Sequence, residues 1–228
     1  MKKIDFTNKT VFLTGGSGGI GGEIKDYFKQ LNASVIAPDV DELDLLSEDS
    51  IKKYLENNKN LKVDIFVHCA GINKLAEADE LTIDLMESVY RVNVSSAVAL
   101  LSEFIQNMKQ NKYGKIVFIT SLYSLVSRER RTPYSASKSS LLGVSRTLAL
   151  ELAPYNIMVN CVAPGYVDTE MTRKNLSVKE IEDIEKSLPT GRLQKTEEIS
   201  DVVGFLCSDF NKSITGQQIA VDGGFTCR

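Results

Sequence analysis

Tyr134 and Lys138 stand four positions apart in the stretch "YSASK". On a helix that spacing stacks the two side chains one turn above the other on a single face. Thr132 and Pro133 just ahead are suited to start such a helix. A phenol ordinarily titrates near ~10, and a neighbouring ammonium favours its ionised form. So placed, the pair has the chemistry to move a proton onto or off an oxygen atom. The blander reading of the same spacing is a surface pair. Ser121 ends a β-branched run upstream, where its hydroxyl can either orient a reacting oxygen or close a local turn. Asn93 falls inside a helical stretch for which asparagine has poor propensity, and so marks an irregularity.

A second cluster is "TGGSGGIGG", residues 14–22, directly after the apolar run Val11, Phe12, Leu13. Glycines between a strand and a helix allow positive φ, bring the main chain close to a pyrophosphate and let helix and sheet pack tightly. The amides at the helix start then face the phosphates. A plain structural turn is the alternative. Two spacings fit the loop: Gly15, Gly19 and Gly21 match TGxxxGxG, while Gly15, Gly18 and Gly21 match GxxGxxG.

Strands and helices of suitable length alternate to position these groups. Strand-like runs are expected at 10–14, 34–37, 63–68, 115–120, 157–162 and 218–221, and helices at 20–31, 50–57, 83–108, 134–152, 178–187 and 197–207. Such alternation predicts a single-domain, three-layer Rossmann-type α/β fold over residues 1–228, with a mostly parallel sheet and helices on both faces. No linker, repeat or low-complexity tract divides the chain.

Composition narrows the function classes. With 228 residues, 43% of them apolar and a quarter charged, the chain suits one large globular domain. A net charge of −3 without a basic block argues against a nucleic-acid partner. The start "MKKIDFTNKT" has no apolar stretch behind its lysines and no run approaches ~18 apolar residues, so a cytoplasmic location away from membranes is expected. The four cysteines (Cys69, Cys161, Cys207 and Cys227) lack metal-ligand spacing and read as free thiols. His68, the only histidine, reads as a satisfied structural residue, and no metal site is expected.

Seven ordered motifs resemble the short-chain dehydrogenase/reductase family over nearly the whole chain. They are "TGGSGGIG", "HCAG" (68–71, where the family often has NNAG), "RVNV" (91–94), "ITSL" (119–122), "YSASK", "NCVAPGYVDTEM" (160–171) and "ITGQQIAVDGG" (214–224). The last two, with the chain length, resemble the single-domain branch, including its 3-oxoacyl-carrier-protein reductases. The resemblance implies hydride transfer between a nicotinamide cofactor and a secondary alcohol or ketone. By it, Tyr134 is the general acid/base, and Lys138 both tunes the phenol and holds the nicotinamide ribose. Ser121 orients the substrate oxygen, and Asn93 holds a water that relays protons to Lys138. Cofactor contacts are expected from Gly15, Ser17, Gly18, Gly19, Ile20, Gly21, Asp39, Asp44, Leu45, Cys69, Ala70, Gly71, Pro164, Gly165, Val167 and Thr169. Residues 166–195 would form the substrate lid. The resemblance also implies a homotetramer or homodimer built through the two long helices and the C-terminal segment.

Asp39, at the end of the second strand, is placed to accept from the adenosine ribose 2′-hydroxyl and to repel a 2′-phosphate. Gly18 stands where phosphate-preferring relatives often carry Arg or Lys. NAD is therefore expected as cofactor, and NADP is disfavoured. The alternatives are an NADPH-dependent 3-oxoacyl-carrier-protein reductase and a dinucleotide-binding scaffold or sensor without turnover.

Two stretches depart from the family. Between Asp39 and Leu43 there is no room for the usual helix, so a third parallel strand there is doubtful. "SRERRTPY" (127–134) puts Arg128, Arg130 and Arg131 just ahead of Tyr134, with Arg173 and Lys174 in the expected lid. Exposed loop charge is the ordinary reading. The sharper one is that one of these arginines recognises a carboxylate, phosphate or sugar-nucleotide group on the substrate.

Overall fold

The computed structural model describes residues 3–227. Six strands form one parallel sheet in the order β2-β1-β3-β4-β5-β6. They are β1 (Thr10–Thr14), β2 (Ser34–Ile36), β3 (Ile65–His68), β4 (Gly114–Ile119), β5 (Ile157–Pro164) and β6 (Gln218–Val221). The helices between them are α1 (Gly19–Gln30), α2 (Glu48–Asn57), α3 (Ile83–Tyr90), α4 (Ser96–Asn111), α5 (Thr132–Leu152), α6 (Glu170–Asn175), α7 (Val178–Ser187) and α8 (Thr196–Cys207).

Parallel strands buried on both faces need near-continuous apolar runs, and β3, β4 and β5 are buried at every position. Alternate residues of each strand serve opposite cores. Phe12, Phe66, Phe118 and Val159 pack with Leu100, Phe104 and Leu141 of α4 and α5. Leu13, Ile65, Val67 and Val162 pack with Ile24 and Phe28 of α1 and Ile199 and Val203 of α8. Each fully buried side chain of this size contributes ~1.5–3 kcal/mol.

Two elements differ from the sequence expectation, and the doubt over a third strand after Asp39 is met. The helix over 83–108 is interrupted: residues Arg91–Ser95 wind as a π-helix between α3 and α4. No strand forms between Ile36 and Ile65; residues 37–47 turn, and the chain passes directly into α2 and then to β3 on the other side of β1. The short α6 was not foreseen, because its six residues are too few for a periodic signal. Other boundaries agree within one or two residues, the ordinary spread of helix and strand ends. Among the described residues no helix is long and apolar enough to cross a membrane.

Candidate active site

The carboxyl ends of β1, β3, β4 and β5 open into a cleft of about 710 Å³. Its lining includes Gly15, Ser17, Gly18, Gly19, Ile20, Gly21, Cys69, Ala70 and Gly71 from the β1 and β3 ends, and Ser121, Tyr134 and Lys138 from β4 and α5. Pro164, Gly165, Val167 and Thr169 close it from the β5 side. The position is the one where open parallel sheets take ligands.

The glycine loop resolves the two spacings. Gly15 has φ +74°, and a Cβ there would stand 2.6 Å from the Ala70 nitrogen. At Gly21 a Cβ would fall 2.0 Å from the Gly15 carbonyl oxygen, so the first turn of α1 lies directly on the loop. Gly19 is also left-handed, with φ +54°. Gly18, by contrast, is extended, with φ 175°, and a Cβ there meets nothing within 4 Å. The TGxxxGxG positions are therefore the constrained ones. α1 starts with no side-chain cap and no acidic residue in its first turn, leaving its end amides for an anion. This bare cradle fits a dinucleotide pyrophosphate.

Asp39, Asp44 and Leu45 lie outside the lining of the cleft, in the turn that follows β2. Asp39 Oδ1 accepts from the Asp41 and Glu42 amides at 3.0 and 3.1 Å, while Glu42 accepts from the Asp39 amide. One carboxylate oxygen of Asp39 thus organises the loop. Asp44 accepts from the Leu46 amide in the same manner.

Tyr134 and Lys138 share the inner face of α5, as the spacing requires. Lys138 is 3% exposed, and Nζ donates to the Ile119 carbonyl at 2.7 Å. Burial pulls its pKa down to about 8. Nζ stands 5.8 Å from the Tyr134 ring centre. Burial raises the Tyr134 pKa above the usual phenol value, opposed by the Ser121 hydroxyl and then by the charge of Arg131. In this geometry desolvation outweighs the lowering influences, which come from Ser121 and Arg131. Ser121 Oγ accepts from the Tyr123 amide at 3.2 Å, which leaves its O–H to point at an oxygen beside Tyr134.

Asn93 sits in the π-helical segment, where the wider turn aims its side chain sideways. Its Oδ1 accepts from the Ile72 amide at 2.8 Å, and Nδ2 donates to the Ile72 carbonyl and to Ser137 Oγ at 3.0 and 2.9 Å. The side chain is thereby spent on positioning the β3–α3 loop against α5. His68 completes the brace. Its Nε2 meets the Asn93 carbonyl at 3.1 Å and must donate, so Nδ1 accepts from the Thr14 hydroxyl at 2.8 Å. Full burial lowers the histidine pKa to about 3, which keeps it neutral.

The arginines separate. Arg130 pairs with Glu77 at 3.0 Å, and Arg131 lies over the Tyr123 ring at 5.4 Å. Arg128 is exposed on the same loop. Arg173 is held by both oxygens of Asp168 at 2.7 and 2.6 Å, and Lys174 by Glu170 at 2.7 Å. Residues 166–195 carry α6 and α7, and their two ends are joined by a bridge between Val167 and Gln194. Tyr123 and Tyr166 join their hydroxyls at 3.1 Å, a contact that sequence reasoning missed. The only available signal was their place just past Ser121 and Gly165, each at the end of a buried strand. Among the described residues no three His, Cys, Asp or Glu side chains are grouped to hold a metal ion.

A family model described as enoyl-(acyl carrier protein) reductase matches residues 17–226. A 3-oxoacyl-[acyl-carrier-protein] reductase of Rickettsia felis is 35% identical over 97% of this chain and 98% of its own. An NAD-dependent glycerol dehydrogenase of Listeria innocua is 28% identical over 100% and 97%. A solved structure from Beutenbergia cavernae, provisionally assigned as an NAD(P)-dependent gluconate 5-dehydrogenase, superposes with a TM-score of 0.92 at 29% identity, covering 98% of this chain and 99% of that one. With the glycine cradle, the Ser–Tyr–Lys cluster and the parallel sheet that carries them, these matches show that the chain belongs to the short-chain dehydrogenase/reductase family of nicotinamide-dependent oxidoreductases.

Proposed function

We propose that the protein is an NAD-dependent dehydrogenase/reductase acting on a secondary alcohol or ketone, with Tyr134 as general acid/base. The observation that carries this reading is the convergence of Ser121, Tyr134 and Lys138 on one wall of the cleft whose other end is the glycine cradle. A bound nicotinamide supplies or accepts the hydride. The Ser121 O–H holds the substrate oxygen and stabilises charge that develops on it. Tyr134 gives its proton to that oxygen during reduction and takes it back during oxidation. Lys138, anchored on Ile119, keeps two N–H donors for the ribose hydroxyls and the phenol side. Asn93 acts by holding the Ile72 backbone and Ser137 in place.

NAD is favoured over NADP by charge. Asp39, Asp41, Glu42 and Asp44 crowd the turn after β2, and that turn carries no lysine or arginine to offset a 2′-phosphate. Asp39 spends one oxygen on its turn, leaving the other for a ribose hydroxyl. The reading of NADPH-dependent 3-oxoacyl-carrier-protein reduction is favoured by the 35% identity to curated reductases of that name. A scaffold without turnover is disfavoured by the complete set of Asn93, Ser121, Tyr134 and Lys138. Cytoplasmic location, one domain over 1–228 and assembly through α4 and α5 complete the proposal. Leu150 on α5 and Val98 on α4 are 81% and 41% exposed.

The test is to supply purified protein with NAD⁺ or NADP⁺ and a panel of secondary alcohols, and with NADPH and an acyl-carrier-bound 3-ketone. The proposal expects NADH formation with NAD⁺. Activity confined to NADPH and the acyl-carrier substrate would replace it with the second reading.

A further inference from the structure

Ser121 is followed by a single 3₁₀ turn, Leu122–Ser124. That turn touches both hydroxyl-bearing residues of the proposed alcohol or ketone chemistry. The Tyr123 amide donates to Ser121 Oγ at 3.2 Å, and the Tyr123 ring packs edge-on against Tyr134 with ring centres 6.4 Å apart. A 3₁₀ turn has hydrogen bonds of poorer geometry than an α-helix, so one turn by itself is a weak support. This one is reinforced at its start. The Ser121 carbonyl accepts from the Ser124 amide at 2.9 Å and from Ser124 Oγ at 2.5 Å, which uses both of its lone pairs.

The reinforcement continues to Gln218 of β6, 94 positions further along the chain, whose Nε2 donates to Ser124 Oγ at 2.8 Å. β6 lies at the edge of the sheet and pairs with β5, with Gln218 opposite Cys161. No strand pairing joins it to β4, which ends ahead of Ser121, so the Gln218 side chain makes that connection. A serine hydroxyl can rotate, donate and accept. With a Gln218 N–H filling one of its lone pairs, the Ser124 proton is directed to the Ser121 carbonyl. The reversed amide would take that proton and leave two oxygens facing each other at 2.5 Å with none between them. Gln218 Oε1 is buried and has no hydrogen-bond partner among the described residues. An apolar side chain of similar size would avoid that orphaned acceptor, so the carboxamide is retained against its own desolvation cost.

We propose that Gln218 is a positioning residue for Ser121, acting through Ser124. It orients the Ser124 hydroxyl, which fixes the Ser121 carbonyl and with it the direction in which Ser121 Oγ meets the substrate oxygen. The inference rests on the proposed role of Ser121 in holding that oxygen. Misplacing a reacting group by ~1 Å can cost ~10²-fold in rate, so a loosened turn is read in kcat.

The experiment places Gln218→Leu in two backgrounds, wild type and Ser121→Ala, assayed with NAD⁺ and a secondary alcohol that wild type oxidises. In wild type the substitution should lower kcat by about tenfold while NADH affinity, read by cofactor fluorescence, stays within about twofold. In the Ser121→Ala background it should lower kcat no further, because the hydroxyl it positions is gone. Ser124→Ala should reproduce the loss, and Ser124→Thr, which keeps a hydroxyl, should recover most of it. Hydrogen exchange over residues 121–126 reads the brace without any substrate, and should quicken in Gln218→Leu and Ser124→Ala alike. An equal kcat loss in both backgrounds, an unchanged kcat, a matching loss of NADH affinity or unaltered exchange would each overturn the proposal. No turnover by wild type, or full turnover by Ser121→Ala, would instead sink the proposed function on which it rests.

Discussion

The Asn93 carboxamide and the Ile72 backbone are joined in both directions, amide to Oδ1 at 2.8 Å and Nδ2 to carbonyl at 3.0 Å. This clamp is possible because the π-turn carries Asn93 out of helical register, and His68 fixes that turn by donating to the Asn93 carbonyl. The loop that follows β3 is therefore held by a buried neutral histidine.

Acid should release the brace. The folded-state pKa of His68, about 3, lies below its unfolded value near 6.5. Its contribution is then fully present above pH 6.5 and is lost progressively as pH falls toward 3, because only the unfolded chain takes up the proton. Relative to His68→Asn, wild type should lose about 3 to 5 kcal/mol across that window. Urea midpoints of both proteins at pH 7 and pH 4 measure the difference. Parallel pH profiles for the two proteins would remove His68 from the account.

Lys138 gives the opposite test, at alkaline pH. Burial lowers its pKa from 10.5 to about 8, so the unfolded chain binds more protons between those values and stability rises with pH there. Buried thiols such as Cys69, whose pKa is raised to about 11, work against this trend. The informative quantity is therefore wild type minus Lys138→Met. That difference should move in favour of wild type by about 3 kcal/mol between pH 7.5 and 10.5. The same variant should lose NADH affinity and turnover together, and loss of only one would contradict the double contact assigned to Lys138.

Much of this arrangement was legible in the sequence. Tyr134 and Lys138 share a face because helix geometry allows nothing else at that spacing, and the buried strands announce themselves as apolar runs. Asn93 was readable as a helix irregularity, but its partner Ile72 was not, since the contact joins separate elements. Asp39 shows the converse limit: strand-end position points to the ribose, yet turn chemistry also claims one of its oxygens. The pKa of Tyr134 is set by burial, Ser121 and Arg131, and only the packed cleft reveals that balance.

The pH dependence of oxidation follows from that balance. Ser121 and Arg131 both lower the Tyr134 pKa, so removing either raises it further and moves the rising limb of alcohol oxidation to higher pH. Arg131→Gln, compared with wild type in kcat/KM against pH, is expected to show this displacement. An unmoved limb would contradict the electrostatic role of Arg131.

On the proposed reading, cofactor choice is set at Asp39 and Gly18. Wild type is expected to bind NADH roughly 10- to 150-fold more tightly than NADPH, the value of one charge-assisted hydrogen bond. Gly18 has open space for a side chain, so Gly18→Arg with Asp39→Ser should fold normally, weaken NADH and strengthen NADPH. Gly21→Ala should instead abolish binding of both, because its Cβ collides with the Gly15 carbonyl. Calorimetric titration of both cofactors into all three proteins measures this, and a wild-type preference for NADPH would displace Asp39 from the ribose.

The most direct test of the whole account is Tyr134→Phe, assayed for NADH binding by fluorescence titration and for turnover on an accepted alcohol. The substitution removes only the phenolic oxygen from a ring whose neighbours Tyr123 and Lys138 remain in place. NADH affinity should stay within about twofold, while kcat falls by at least ~10²-fold, the low end for a positioned general acid/base. A Phe variant that turns over at the wild-type rate would contradict the assignment of proton transfer to Tyr134.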